Sequence, residues 1–398
     1  MKKRTIAKTG ATMLTMAMLL NGTTVFAADT SYQEVKGGST KFDKYLVMDQ
    51  EANVPNASFT YTIAPGTAKI YDVDNKKVEV LAGVGTPTMT DEDTEKEGYQ
   101  LVFQPTDTLN TTLQTGDLVK GFDPGKQGYA KKTSTVDFSG VTFTEPGIYR
   151  YVITETGTNQ AVTNDTNDKR YLDVYVMDKN GDLEVSGYIL HATDSEVGMK
   201  DSHGSDGIQE DNKSQGFTNT YDTSNLTFKK EVSGNQASRD KYFEFTVEIK
   251  NAVPGTVYNV DITGATDTSG SNAATIEANA NKANLRELKV GADGTVKQKF
   301  YLQHDQYITI QGIAKESTYT VTENEEDYKS DAAAVEGYRD STTGTVVSAD
   351  LKTSYLNTRN GAIPTGVIMT VAPFAAVTLL GAAGMVTIKM RKKEDDAE

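Results

Sequence analysis

Alternation of apolar and polar residues along most of the stretch from 39 to 360 is the feature that most restricts how this chain folds. Side chains that alternate lie on opposite faces of an extended strand, so one face packs on a core while the other meets solvent. Gly, Asn and Asp clusters separate the alternating runs, and Asn180-Gly181 is a strong signal for a tight hairpin. The sequence therefore predicts an all-β protein of the sandwich type. The clearest predicted strands are residues 59–63, 149–155, 171–177, 243–249 and 319–323.

The alternating region presents the same order of features twice. Lys44 comes shortly before an aromatic-led strand, and Lys230 precedes a similar strand at nearly the same distance. Each half closes with a strand that begins with an aromatic residue and reaches an Asn, at Asn219 and at Asn357. A short polar segment separates the halves, so we predict two tandem immunoglobulin-like β-sandwich domains. Their predicted bounds are residues 28–221 and 222–362.

Each half also places one Lys, one Glu and one Asn on an apolar strand face. Lys44, for example, shares the parity of Phe42 and Leu46. A single inward Lys usually reaches water with its ammonium group, and a single Glu at a strand end usually faces solvent. Two complete sets in the same order indicate a joint role, because a buried charge costs several kcal/mol unless it is paired or neutralised. The two sets are Lys44, Glu155 and Asn219, and Lys230, Glu323 and Asn357.

The three side-chain types of each set can react with one another. Burial lowers the pKa of a Lys and raises that of a Glu, so both groups can be neutral in an apolar core. A neutral ε-amine is a nucleophile. A protonated carboxyl group can polarise the Asn carboxamide oxygen and can pass a proton to the leaving ammonia. Contact between amine and amide supplies the effective concentration. The expected product is a Lys–Asn isopeptide bond that the folded domain forms once, without turnover.

Segments 141–149, 226–234 and 319–323 resemble the streptococcal T-antigen type of major pilin, and the resemblance extends over nearly the whole chain between its two ends. In that Gram-positive family, sortase polymerises a shaft protein of two sandwich (CnaB-type) domains that contain self-formed isopeptide bonds. The resemblance implies a bond between Lys44 and Asn219 with Glu155 as catalyst. It implies a second bond between Lys230 and Asn357 with Glu323 as catalyst.

The same family uses a Lys shortly before the Asn that closes the first domain as the acceptor amine for polymerisation. Lys213 is the best match in this chain. It departs from the family pattern, because one residue is missing before Phe217 and the flanking Val-Pro pair is absent. Lys200 is therefore the second candidate, and a solvated loop lysine without this role is the alternative for either residue.

The N-terminal segment has the pattern of a secretory signal peptide. A basic stretch is followed by a short apolar stretch, residues 11–20, and then by Val25-Phe26-Ala27. The pattern predicts cleavage between Ala27 and Ala28, and hence export.

The C-terminal segment resembles the cell-wall sorting signal of Gram-positive surface proteins. Ile363-Pro364-Thr365-Gly366 is followed by an apolar run, 367–390, and by the basic residues 391–393. The run is long enough to span a bilayer, and the basic residues fit a cytoplasmic stop. The resemblance implies temporary membrane retention and cleavage by sortase between Thr365 and Gly366. An ordinary single-pass membrane protein is the alternative.

Composition argues against several other functions. The chain has no cysteine, which excludes disulfide bonds and a thiol nucleophile. Its net charge of −15 argues against nucleic acid or an anionic membrane surface as a partner. The three His residues lack metal-ligand spacing, and no phosphate-binding loop is present. We therefore expect no metal, no cofactor and no enzyme.

The sequence taken together predicts a pilus shaft subunit on the surface of a Gram-positive bacterium. Its expected partners are other copies of itself, a pilus sortase, minor pilins at the tip or base, and peptidoglycan. Pro364 directly precedes Thr365, unlike the Leu-Pro-x-Thr-Gly spacing of housekeeping sortase substrates, which favours a dedicated pilus sortase. The alternative is a wall-anchored adhesin or minor pilin that binds a host ligand.

Overall fold

The computed structural model describes residues 32–73, 75–91, 100–195, 197, 213–264 and 285–361. These residues form β-strands joined by turns and loops, which confirms the all-β prediction. Within the described ranges, no helix is long and apolar enough to cross a membrane. The predicted signal peptide, sorting signal and transmembrane run lie outside the described residues.

The first sandwich contains strands β1 to β14. They are β1 (Val35–Lys36), β2 (Ser39–Asp49), β3 (Ala57–Pro65), β4 (Lys69–Val73), β5 (Lys76–Ala82), β6 (Thr88–Asp91), β7 (Gln100–Phe103), β8 (Gln127–Asp137), β9 (Thr142–Phe143), β10 (Gly147–Thr156), β11 (Val162–Thr163), β12 (Lys169–Lys179), β13 (Asp182–His191) and β14 (Gly216–Tyr221). One sheet has the order β13-β12-β10-β3-β7, with β5 also beside β10 and β4 beside β5. The other has the order β11-β14-β2-β8-β6, and β1 pairs with β9.

The second sandwich contains strands β15 to β24. They are β15 (Thr223–Ser233), β16 (Phe243–Lys250), β17 (Val257–Gly264), β18 (Glu287–Lys289), β19 (Val296–Leu302), β20 (Gln306–Ala314), β21 (Thr318–Glu323), β22 (Lys329–Ala332), β23 (Thr343–Thr345) and β24 (Leu351–Thr358). One sheet has the order β18-β17-β20-β15-β24-β22 and the other has the order β19-β16-β21-β23. All five strands predicted from alternation are present. Asn180 and Gly181 adopt positive φ angles of 62° and 100° at the predicted hairpin between β12 and β13.

The first long strand and the last strand of each sandwich are neighbours and run parallel. In the first sandwich β14 pairs with β2, and Phe217 lies opposite Lys44. In the second sandwich β24 pairs with β15, and Tyr355 lies opposite Lys230. Both pairs thus have the same register, in which the residue opposite the Lys lies two positions before the Asn at the end of the domain.

Each sandwich has its own apolar core between its two sheets. Strand β2 differs from the expected half-buried pattern, because Tyr45 and Val47 on its other face are also buried. They form a second, smaller cluster with Tyr129 of β8 and with Val119 and Phe122 of the preceding loop. That loop covers the face of the sheet that alternation assigns to solvent.

Polar contacts join the two sandwiches near Glu51. The Glu51 carboxylate accepts hydrogen bonds from Asn225 at 3.2 Å and from Gln311 at 3.1 Å. Its backbone carbonyl accepts a third from Asn259 at 3.1 Å. Asn53 donates to the Val257 carbonyl at 2.9 Å.

Candidate functional site

The sandwich fold brings Lys44, Glu155 and Asn219 together in the core of the first sandwich. Lys44 on β2 and Asn219 on β14 extend from neighbouring strands of one sheet, and Glu155 on β10 reaches them from the facing sheet. Lys44 Nζ lies 2.6 Å from Glu155 Oε2, and Asn219 Nδ2 donates to Glu155 Oε1 at 2.6 Å. One carboxyl group therefore contacts both the amine and the amide.

The second sandwich builds the same arrangement from the corresponding strands. Lys230 on β15 and Asn357 on β24 share one sheet, and Glu323 lies at the end of β21 on the facing sheet. Lys230 Nζ lies 2.6 Å from Glu323 Oε1. Asn357 Nδ2 donates to the same oxygen at 3.2 Å. The three residues predicted for each domain are thus in contact in both.

Both lysines are fully buried beside an aromatic ring. Neither has any solvent exposure. Lys44 Nζ is 4.1 Å from the centroid of the Phe59 ring, and Lys230 Nζ is 4.3 Å from that of Phe243. Burial outweighs the neighbouring carboxylate and lowers the pKa of each Lys to about 8. Burial also raises the pKa of Glu323 above its ordinary value. Burial thus shifts both members of the Lys230–Glu323 pair toward their neutral forms.

The contacts of the carboxamide differ from the expectation. A carboxyl group that polarises the Asn oxygen was predicted, but each Glu faces the amide nitrogen instead. In the first site the Asn219 oxygen accepts a hydrogen bond from the Asp165 backbone N–H at 3.0 Å. The two Glu side chains are thus placed to protonate the leaving nitrogen.

A hydroxyl group contacts the carboxyl group of each of these two Glu residues. The Tyr61 hydroxyl donates to Glu155 at 2.8 Å, and the Ser330 hydroxyl donates to Glu323 at 3.0 Å. Sequence reasoning missed both. Tyr61 shares the inward parity of Phe59, so parity was a usable signal for it. Ser330 lies on the short strand β22, which alternation did not predict.

Lys213 lies three residues before the start of β14 and is partly exposed. Its backbone forms an antiparallel bridge with His191 at the end of β13, and the next residue, Ser214, donates its N–H to the Leu190 carbonyl at 2.9 Å. Lys200 lies outside the described residues, as do Ala27, Ala28 and Ile363-Pro364-Thr365-Gly366.

A buried ion cluster in the first sandwich was also missed by sequence reasoning. Arg150 on β10 forms two hydrogen bonds, each of 2.7 Å, with Asp173 on β12. His191 Nε2 lies 3.1 Å from the same carboxylate, and all three residues are buried. The described residues contain no group of three or more His, Asp or Glu side chains that is suited to a metal. The Arg150–Asp173 ion pair joins the neighbouring strands β10 and β12.

Two family models match the chain in adjoining segments. The Spy0128-like isopeptide containing domain matches residues 40–222. A domain of unknown function matches residues 224–359.

Known relatives match over almost the full length. A protein described as "Pilin" from Streptococcus pyogenes serotype M1 is 25% identical over 411 residues, which cover 98% of this chain and 99% of the relative. The crystal structure of the major pilin from Streptococcus pyogenes is 19% identical, with a TM-score of 0.48, and covers 82% of this chain and 100% of that one. The major pilin T3.2 of the same species is 21% identical, with a TM-score of 0.48 and coverages of 82% and 99%.

Proposed function

We propose that this chain is the structural shaft subunit of a cell-surface pilus in a Gram-positive bacterium, because residues 40–222 match the Spy0128-like isopeptide containing domain and the chain is 25% identical to a streptococcal pilin over 98% of its length. The observation that carries the proposal is the pair of buried Lys–Glu–Asn clusters in identical strand registers. The predicted resemblance to major pilins is confirmed by the comparisons. The role is structural and not enzymatic.

We propose that each cluster forms one isopeptide bond, Lys44–Asn219 in domain 28–221 and Lys230–Asn357 in domain 222–362. The buried Lys first transfers a proton to the Glu. The neutral amine attacks the Asn Cγ atom, and the Glu protonates the departing nitrogen while it receives the surplus proton of the attacking amine. A C–N bond forms, another C–N bond breaks, and ammonia leaves. The Glu ends the reaction protonated, so the number of protons is conserved.

The cross-links would stabilise the domains by restricting the unfolded chain. Each closes a loop of well over a hundred residues, because it joins the first long strand of its domain to the last. By analogy with disulfides, a loop of that size removes about 5 kcal/mol of conformational entropy from the unfolded state.

Polymerisation requires two further sites that we propose from sequence. A pilus sortase cleaves between Thr365 and Gly366 after signal-peptide removal at Ala27, and it joins Thr365 to Lys213 of the next copy. Lys200 is the second candidate for this acceptor. Minor pilins at the tip or base and peptidoglycan are the other proposed partners.

Intact-mass measurement of the mature chain, residues 28–365, tests the bonds. We expect a mass lower than the calculated value by two molecules of ammonia. Glu155→Ala and Glu323→Ala should each show the loss of only one ammonia, and the double variant should show no loss. Trypsin digestion should yield cross-linked peptides that contain Lys44 with Asn219 and Lys230 with Asn357. A mature chain at its full calculated mass would overturn the proposal.

Wall extracts boiled in detergent distinguish a shaft from a wall-anchored adhesin. A shaft subunit gives a ladder of covalent multimers on an immunoblot. A single wall-linked species would contradict the shaft role.

A further inference from the structure

The amide oxygen of Asn219 has a dedicated hydrogen-bond donor. The backbone N–H of Asp165 donates to Asn219 Oδ1 at 3.0 Å. On the nitrogen side, Asn219 Nδ2 donates to Glu155 Oε1 at 2.6 Å and to Asn164 Oδ1 at 3.1 Å. Since a backbone N–H can only donate, the Asp165 contact fixes which end of the carboxamide is oxygen. The reacting amide is thus held at both ends.

The loop that carries this N–H is tied to the chain segment just before Asn219. The Asp165 carboxylate accepts the Thr218 N–H at 2.9 Å and pairs with Arg170. Arg170 in turn donates to the Gly216 carbonyl at 2.7 Å and to the Ser214 hydroxyl at 2.9 Å. The side chains of Asp165 and Arg170 are only 2% and 3% exposed. A buried ion pair therefore sets the position of the donor relative to Asn219.

The second site lacks an equivalent donor among the described residues. Asn357 Oδ1 is buried there and has no hydrogen-bond partner. The Glu323 carboxyl group still contacts the amide nitrogen of Asn357 and accepts a hydrogen bond from the Ser330 hydroxyl. The two sites thus share the Lys, the Glu and the Asn but differ at the oxygen that becomes negative when the amine attacks.

We propose that the Asp165 backbone N–H is an oxyanion donor for formation of the Lys44–Asn219 bond, with Asn164 orienting the leaving nitrogen and Arg170 acting as a positioning residue. When Lys44 attacks Cγ, the carbonyl electron pair moves to Oδ1, and the Asp165 N–H stabilises that charge. As the tetrahedral intermediate collapses, the C–N bond to the original amide nitrogen breaks, and Glu155 supplies the proton that leaves with ammonia. This inference rests on the proposed isopeptide chemistry.

Removal of one N–H tests the role directly. Cell-free synthesis with an α-hydroxy acid at position 165 replaces the amide by an ester and keeps the Asp side chain. The chain is collected in guanidinium before bonds form and is then folded by dilution. Cross-linked tryptic peptides are quantified over time for both bonds. We expect the Lys44–Asn219 bond to form roughly 10²-fold more slowly, with the Lys230–Asn357 bond unchanged in the same molecules.

Two matched variants keep the test decisive. An ester at the exposed neighbour Thr166 should leave both rates unchanged, whereas Asn164→Ala, on the same exposed loop, should slow only the first bond, by roughly tenfold. An unchanged first-bond rate in the Asp165 ester would overturn the inference, as would equal slowing by the Thr166 ester. Failure of the wild-type chain to lose ammonia at this site would instead overturn the proposed bond.

Discussion

Lys230 Nζ and Glu323 Oε1 lie 2.6 Å apart, and neither side chain has any solvent exposure. Two ionisable groups so close together titrate as a pair rather than as two independent sites. The ammonium–carboxylate state and the neutral amine–carboxylic acid state hold the same number of protons. They differ only in which of the two groups carries the shared proton. The reactive neutral form is therefore available wherever the pair holds one proton.

The rate of formation of the Lys230–Asn357 bond should have a bell-shaped dependence on pH. Burial lowers the pKa of Lys230 to about 8 and raises that of Glu323. Below the Glu323 pKa both groups are protonated, so the amine cannot attack. Above about pH 8 the pair loses its last proton, so the carboxyl group cannot protonate the leaving nitrogen, and the rate should fall about tenfold per pH unit. The chain can be refolded by dilution into buffers from about pH 5 to about pH 10, and quantification of the cross-linked peptide over time gives the rate of bond formation at each pH. A rate that still rises above about pH 9 would contradict this expectation.

Gly216→Ala should prevent formation of the first bond. A Cβ atom at Gly216 would lie 1.6 Å from the carbonyl oxygen of Asp43, its partner on β2. The two strands that hold Lys44 and Asn219 would have to separate. We expect intact-mass measurement to show one ammonia loss rather than two. Gly187→Ala, where an added Cβ has no atom within 4 Å, is the control and should retain both losses.

Two variants that both lack the first bond should differ in stability. Lys44→Met combined with Glu155→Gln removes both members of the buried pair, whereas Glu155→Gln alone leaves Lys44 buried without its acid partner. We expect the first domain of the double variant to be about 5 kcal/mol less stable than wild type because the cross-link is lost. Glu155→Gln alone should be about 3 kcal/mol less stable again, because an unpaired buried amine remains. Guanidinium unfolding at neutral pH measures both. Equal stability of the two variants would contradict the cost assigned to buried Lys44.

Lys213→Ala should abolish the covalent ladder in wall extracts and leave the monomer intact. Lys213 lies three residues before β14 and is partly exposed, so the loss of its side chain should not disturb either core. Lys126→Ala removes a lysine of the same domain whose side chain is 81% exposed and serves as the control. An unchanged ladder in Lys213→Ala together with its loss in Lys200→Ala would assign the acceptor to Lys200.

Strand parity predicted the inward direction of Lys44 and Lys230 because it depends only on local geometry. Both residues alternate with apolar neighbours, and a period of two fixes the face on which each side chain lies. The Asn180-Gly181 hairpin was predictable for the same local reason. The Arg150–Asp173 pair was detectable from the same pattern, since each residue lies between apolar or aromatic residues of a predicted strand, and the two lie directly opposite each other in the sheet.

Other features depend on contacts that no local pattern encodes. Tyr45 and Val47 occupy a face that alternation assigns to solvent, and they are buried because residues from a later loop, including Phe122, pack over them. The donor to Asn219 is a backbone N–H, which every residue except proline possesses, so the identity of Asp165 could not reveal it.

The parallel pairing of β15 with β24 has a mechanical consequence in the proposed polymer. Tension that enters a subunit at Lys213 follows the chain past Asn219 to Lys230, crosses to Asn357 and leaves toward Thr365. Almost all of the second domain lies outside this path. The first domain is attached to the path through the Lys44–Asn219 bond. Force on the fibre then acts on covalent bonds rather than on hydrogen-bonded sheets. A shaft of such subunits should resist extension up to loads at which an uncross-linked sandwich would already have unravelled.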